Sequence, residues 1–444
     1  MFFLYQISLS ILILISPIII FFRIIKNKED KKRFIEKFSV FSKKRTKGTL
    51  IWFHGASVGE ILSVIPVIKK YENDKSINQI LITSSTLSSS KVLLKFKFKK
   101  TIHQFYPLDH FFFTQRFVRY WKPNIAIFID SEIWPCMFKT LDNYKIPLVL
   151  LNARITKKTF LRWMKIKKFS KSIFDKITIA YPQNLETKKF LKQLEVKKIN
   201  LIGNLKFAET DNEIQDTINS NLKSQLKNRK IWIASSTHKN EEVFCAKTHM
   251  ELKKKIKNLI TIIIPRHVHR AKKIIPEIKN LNLKIITHSS NNKNLKDIDI
   301  YLVDTFGETK KFHKIGHSVF LGGSIVNRGG QNPLEAARYG AKIFHGPNID
   351  NFKDVYQLLN SLKISKLVNS SKKLASLIKF IPNKANGNKI KKIGRIILKK
   401  TIKELNYLIK DEFKKNEDFV LKKTKNICLL FATNSLFITN FKFF

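Results

Sequence analysis

Three acidic side chains and a handful of cations stand where chemistry is easiest to arrange. Glu60 follows the small-residue turn Gly55-Ala56-Ser57-Val58-Gly59, at the start of a helical pattern. The glycines let a substrate come near the backbone, and a carboxylate there can act as general base toward a hydroxyl. It can equally stabilise its own helix through the dipole, and the residues alone leave both roles open. Asp130 and Glu132 form an acidic pair on one loop. Such a pair suits sugar hydroxyls, a metal or a cationic partner, or it caps the helix that starts near Trp134. Lys206 and Arg154 are cations able to neutralise a carboxylate or phosphate, although on a lysine-rich chain a solvated lysine is the commoner case. Arg266 follows an apolar run, and its planar fork suits an anionic oxygen pair. Arginine is scarce beside lysine here, so its placement is the more informative.

A glycine-rich run supplies the second cluster. The chain has 14 glycines, and 6 of them fall in the 25 residues from Gly322 to Gly346. Within it, Asn332-Pro333-Leu334-Glu335 reads as N-cap, first helical residues and the Glu of a capping box. Strand Ser318–Leu321, glycine loop and capped helix together predict a phosphate-sized anion site. Glu335 can close the box, accept hydrogen bonds from ribose hydroxyls, or do both.

Two series of short β-branched runs, alternating with helical patterns, must position these groups. The first holds Leu50–Phe53, Gln79–Thr83, Ile102–Tyr106, Asn124–Ile129, Pro147–Leu151, Ile177–Ala180 and Ile199–Ile202. The second holds Lys230–Ala234, Leu259–Ile264, Leu283–Thr287, Ile298–Val303, Ser318–Leu321 and Lys342–Phe344. The alternation predicts an α/β protein of two doubly wound, Rossmann-like domains, joined in the polar stretch Glu209–Arg229. Ligands of such sheets bind beyond the carboxyl ends of the strands, where every candidate above lies. The expected division is an anchor over 2–22, a first domain over 23–210, a second over 211–410 and an extension over 411–444.

Composition narrows the class. The 444 residues are 43% hydrophobic, enough for real cores, and carry a formal net charge of +51. Abundant Lys, Asn, Ile and Phe together mark an AT-rich genome, which accounts for most of that charge; an anionic partner accounts for the rest. The cations are spread along the chain rather than striped, which argues against nucleic acid. Cys136, Cys245 and Cys428 are far apart, so neither a disulfide framework nor a zinc site is expected. There is no H-E-x-x-H, no Walker loop and no G-x-G-x-x-G after a strand, and His267 and His269 do not share a helical face. No metal site is predicted. Phe2 to Phe22 is uncharged and, as a helix, about 30 Å long, with none of the features of a cleavable signal. Arg23, Lys26, Lys28, Lys31, Lys32 and Arg33 follow it, so the expectation is a single-pass transmembrane helix with the rest cytoplasmic. Asn426 to Phe441 is also uncharged but short for a span, and its role stays open.

Nine motifs stand in order between about residues 45 and 355: His54–Glu60, Tyr106-Pro107-Leu108-Asp109, Glu132-Ile133-Trp134-Pro135, Asn152-Ala153-Arg154, Gly203–Phe207, Ala234–His238, Pro265-Arg266-His267, Gly307-Glu308 and Gly322–Pro347. In these the chain resembles the 3-deoxy-D-manno-octulosonic acid (Kdo) transferases, which add Kdo to the lipid A precursor of lipopolysaccharide. The resemblance implies a two-Rossmann-domain (GT-B) glycosyltransferase. Its first domain would receive the lipid acceptor (lipid IVA) and its second the CMP-Kdo donor, at an anionic membrane leaflet, without cofactor or catalytic metal. It implies Glu60 as general base, with Asp130 or Glu132 and Lys206 supporting the transition state. CMP would be held by Pro265 and Arg266, by Phe306, Gly307 and Glu308, and by Asn332, Pro333, Leu334 and Glu335. The chain departs from the family at Ser84–Ser88, at Asp130 where Glu is usual, and after His267 where Pro is usual. Two other readings are a different GT-B enzyme, such as a nucleotide-sugar epimerase, and a basic membrane scaffold; the ordered motifs disfavour both.

Overall fold

Runs such as Leu50-Ile51-Trp52-Phe53 offer no polar face to solvent, so they are suited to strands covered on both sides. The computed structural model, which describes residues 1–208, 217–291, 294–381 and 383–410, places them in two parallel sheets. The first contains β1 (Leu50–His54), β2 (Gln79–Ser84), β3 (Thr101–Phe105), β4 (Ile125–Ile129), β5 (Leu148–Ala153) and β6 (Ile179–Pro182), in the order β3-β2-β1-β4-β5-β6. Its four inner strands are buried at every residue, while the two edge strands are partly open. A helix follows each strand, as parallel crossovers require. The second contains β7 (Lys230–Thr237), β8 (Leu259–Pro265), β9 (Ile285–Thr287), β10 (Ile300–Leu302), β11 (Ser318–Leu321), β12 (Lys342–His345) and β13 (Ser365–Leu367). Its order is β13-β12-β11-β7-β8-β10-β9. The α/β expectation holds for both.

Each sheet reverses its winding once. In the first the reversal lies between β1 and β4, and in the second between β7 and β11. The crevice at such a reversal is the usual ligand site of an open parallel sheet. The loops beginning at Gly55 and Asp130 flank the first reversal, and those beginning at His238 and Gly322 flank the second.

Two strand expectations fail. Ile199–Ile202 is not a strand; Ile199 makes one isolated bridge with Ala180 beyond the edge of the sheet. β13 was not expected, because two of its three residues, Lys366 and Leu367, are exposed and give no apolar run.

The chain divides into one unit formed by Met1–Glu209 and the chain from Arg395, and a second formed by Thr210–Gly394. The expected second domain, 211–410, therefore extends past Gly394, where the second unit ends. Helix 384–410 instead returns its later turns to the first unit. Ile397 packs on Gly203, Glu404 accepts from the Tyr181 hydroxyl (3.2 Å) and Asn406 from that of Tyr71 (3.0 Å). The extension over 411–444, with its apolar segment, lies outside the described residues.

The helix Phe2–Ile25 is long and apolar enough to cross a bilayer, but it does not stand free of the first unit. Its covered residues recur at 2, 5, 6, 9, 13, 16, 20, 23 and 24, one stripe along the whole helix.

Candidate active site

In the first unit, Ser57 caps the helix Val58–Glu72, accepting from the Glu60 N–H, and the Glu60 carboxylate reaches back to close a capping box. Glu60 Oε2 accepts from the Ala56 N–H (2.7 Å) and Oε1 from the Ser57 hydroxyl (2.7 Å). Gly55 has little room for a side chain, since a Cβ there would stand 3.1 Å from that of Glu60. Burial, then the charges of Glu132 and Asp130, push the Glu60 carboxyl above the usual range, against the bonds from Ser57 and Ala56. The capping role is thus filled, and the same buried geometry raises the proton affinity of the carboxylate.

Glu132 does not cap a helix. Its Oε2 accepts from the Trp134 indole (2.8 Å) and faces His54 Nε2 (3.2 Å). In the tautomer that donates the Nε2 proton to Glu132, Nδ1 accepts from the Thr83 hydroxyl (2.9 Å), which in turn accepts from Trp52 Nε1 (2.9 Å). Burial holds His54 below the ordinary imidazole range, with Glu132 opposing, and Tyr106 stacks on its ring at 3.8 Å. Capping of the helix Pro135–Asn143 falls to Asp109, which accepts from the N–H groups of Cys136 (3.0 Å) and Met137 (2.9 Å). Burial pushes the Asp109 carboxyl up to about 6, against those bonds.

Asp130 and Asn152, at the ends of β4 and β5, both have positive φ (63° and 54°), strain that concentrates at functional loops. The strain aims both side chains at the chain after Gly203. Asn152 Oδ1 accepts from the Leu205 N–H (2.9 Å), and Asp130 Oδ2 accepts from Lys206 Nζ (3.2 Å). Glu60, Asp130, Glu132 and Lys206, separate in sequence, are one cluster: three carboxylates, one cation and a neutral imidazole around the first reversal. Arg154 also stands there, its N–H donated to the Asp130 carbonyl (3.1 Å).

In the second unit, the glycine loop is folded around an anion of its own. Glu241, at the start of the helix Glu241–Lys253, is fully buried. Its Oε2 accepts from the N–H groups of His238 (2.9 Å) and Gly323 (2.7 Å), and its Oε1 from those of Ser324 (3.0 Å) and Ile325 (2.9 Å). A Cβ on Gly322 would fall 2.5 Å from the Ser236 carbonyl oxygen, 2.6 Å from the Thr237 Cα and 2.7 Å from Glu241 Oε2, which is why glycine is needed there. The expected anion site in this part of the loop is therefore filled by the protein itself. The expected capping box also fails. Pro333 is the N-cap of the short helix Leu334–Arg338, and Asn332 accepts from the Leu334 N–H (3.1 Å). Glu335 Oε1 accepts from His313 Nδ1 (2.9 Å), whose Nε2 meets the Ser235 hydroxyl (3.0 Å). Burial raises the Glu335 carboxyl, but the His313 bond and the nearby Lys310 and Arg338 outweigh it, and the net shift is downward.

Pro265 ends β8, and Arg266 is exposed, its N–H held by the Thr237 carbonyl (3.0 Å). Phe306 is 90% exposed on the loop after β10, an aromatic face with no protein cover. Gly307 beside it has φ 91°, and Glu308 pairs with Lys311 (2.9 Å). Among the described residues, no three His, Cys, Asp or Glu side chains gather as a metal-ligand set. Sequence reasoning missed Glu241 and His313 and gave Asp109 no role.

Residues 32–209 match a family model described as 3-deoxy-D-manno-octulosonic-acid transferase (kdotransferase). A 3-deoxy-D-manno-octulosonic acid transferase of Rickettsia bellii is 31% identical over 406 residues, covering 91% of this chain and 96% of the relative. That of Haemophilus influenzae is 28% identical, covering 82% and 86%. A solved glycosyltransferase from Rickettsia africae shares the fold at a TM-score of 0.53 and 12% identity, covering 82% of this chain and all (100%) of that one. The ordered motifs, the two reversed sheets of a GT-B glycosyltransferase and these relatives agree: the chain belongs to the 3-deoxy-D-manno-octulosonic acid transferase family.

Proposed function

We propose that the protein transfers Kdo from CMP-Kdo to a hydroxyl of a lipid A precursor, lipid IVA, with inversion at the anomeric carbon. Glu60 takes the hydroxyl proton as the acceptor oxygen attacks, and CMP leaves with the bonding electron pair. The observation that carries this reading is the Glu60 carboxylate, raised by burial and by Glu132 and Asp130 beside the first reversal. A base with a pKa nearer the working pH combines the deprotonated form with a useful appetite for protons. Lys206, fixed on Asp130, supplies positive charge to the same cluster, and Glu132, fixed by Trp134 and His54, keeps the base tuned.

Donor binding falls to the second unit. Phe306 offers its open ring to the cytosine, Arg266 with Pro265 meets the phosphate, and Gly307 and Glu308 complete the loop. Asn332, Pro333, Leu334 and Glu335 contact the ribose side; the free oxygen of Glu335, whose other oxygen is held by His313, can accept from a ribose hydroxyl. The apolar helix and the lysines after it attach the protein to the anionic cytoplasmic face of the inner membrane, where the acceptor resides.

The test is Glu60→Gln in the full-length chain, incubated with CMP-Kdo and a tetraacyl lipid A precursor, with products weighed by mass spectrometry. Transfer is expected to vanish while CMP still binds. Near-normal turnover would remove Glu60 from the role of base.

A further inference from the structure

The helix Phe2–Ile25 is tied to the first unit at both ends. Near its start, the Tyr5 hydroxyl donates to buried Asp109 (2.9 Å), Gln6 donates to the Cys136 sulfur, and the Phe2 and Tyr5 rings lie 6.3 Å and 6.0 Å from Phe169. Near its end, Ser16 and Ile20 are buried, and Arg23 pairs with buried Glu29 (2.8 Å), which Lys37 also holds (2.6 Å). Tyr5 and Arg23 are about 27 Å apart at 1.5 Å per residue. A helix crossing the bilayer would carry Tyr5 through nearly the full hydrocarbon thickness of about 30 Å, away from a unit that remains on one side. Both ends can touch one globular unit only if the helix lies along it.

The opposite side of the helix has a different chemistry. Phe3, Ile7, Ile11, Leu14, Ile18 and Phe21 are between 42% and 79% exposed and fall on the uncovered side. Lys26, Lys28, Lys31 and Lys32, just past its end, are exposed too. An apolar face bordered by cations fits acyl chains beneath anionic headgroups.

The docked stripe also reaches the cluster around Glu60. Asp109 takes the Tyr5 hydroxyl and the Cys136 N–H on Oδ2 and the Met137 N–H on Oδ1. Those two amides open the helix Pro135–Asn143, and the residue before it, Trp134, holds the Glu132 carboxylate.

We propose that the N-terminal helix lies in the membrane interface rather than crossing it, one stripe on the first unit and the other in lipid. We infer further that Tyr5, acting through Asp109, is a positioning residue for Trp134 and Glu132. The second part rests on the transferase reading above; the first does not.

Phe3→Cys in the full-length chain tests the topology with a membrane-impermeant maleimide, read against the unsubstituted chain. The expected result is no added label in intact spheroplasts, none after lysis, and labelling once detergent is present. Label in intact spheroplasts means a crossing helix and overturns the proposal, as does label after lysis without detergent. The purified chain is also expected to float with phosphatidylglycerol vesicles. Failure to float, as monomer or oligomer, overturns the lipid assignment. For the coupling, Tyr5→Phe is expected to lower kcat about tenfold, as small misplacements at an active site do, with KM for CMP-Kdo unchanged. An unchanged kcat, or a loss confined to KM, overturns it. If the unsubstituted chain transfers no Kdo, the transferase reading fails while the labelling result stands.

Discussion

Replacing Glu241 with glutamine keeps the shape of the side chain and removes one acceptor oxygen. Each oxygen serves two backbone donors within 3.0 Å: His238 and Gly323 on one, Ser324 and Ile325 on the other. Whichever way the amide turns, its NH2 faces two N–H groups that have lost their acceptor. A buried donor left unsatisfied costs about 1–3 kcal/mol, so the loop is destabilised by about 2–6 kcal/mol. That is a large share of the roughly 5–15 kcal/mol that holds a domain folded. Hydrogen exchange read by mass spectrometry on the full chain isolates the effect. Peptides covering 318–330 should exchange at least about thirtyfold faster, the equivalent of the lower bound, while peptides from β1 and β4 keep their protection. CMP affinity should fall with it, since Asn332–Glu335 continue the same loop. Unchanged protection at Gly323–Ile325 would refute the reasoning and show that the loop holds its shape without the internal carboxylate.

Two further outcomes follow from the same geometry. Because the Glu132 charge helps raise the Glu60 carboxyl, Glu132→Gln lowers it. A base works in its deprotonated form, so the acid limb of the kcat profile should move to lower pH; a limb that stays or moves up would count against the pairing. Phe306→Ala should weaken CMP binding about tenfold by titration calorimetry, within the range of base–aromatic stacking, and leave thermal stability unchanged because the ring is 90% exposed. Equal CMP affinity would remove Phe306 from the donor site.

The architecture was legible because parallel sheets need long apolar runs and regular crossovers, and those survive in sequence. The candidate residues were legible because they sit just past strand ends. Pairing was not. Lys206 and Asp130 are 76 residues apart, and nothing in either stretch names the other; a positive φ at Asp130 joins them. Glu241 was missed for a related reason. A glycine loop signals backbone amides in need of an anion, but whether a ligand or the protein supplies it depends on a side chain 82 residues away from Gly323. Asn332 to Glu335 failed as a capping box because the helix starts one residue later than expected: with Pro333 as N-cap, Glu335 is the second helical residue rather than the third, and its carboxylate pairs with His313.

The return of helix 384–410 to the first unit has a consequence for biosynthesis. Tyr71 must wait for Asn406, and Tyr181 for Glu404, separations of 335 and 223 residues. Domains tend to fold as they leave the ribosome, at about 5–20 residues per second. Here the whole of Thr210–Gly394 emerges before the unit that began first receives the turns that carry Glu404 and Asn406. That nascent unit already carries the apolar helix Phe2–Ile25, so early engagement of the membrane would keep an unfinished, sticky intermediate out of solution for the roughly ten seconds or more that translation of the inserted unit takes.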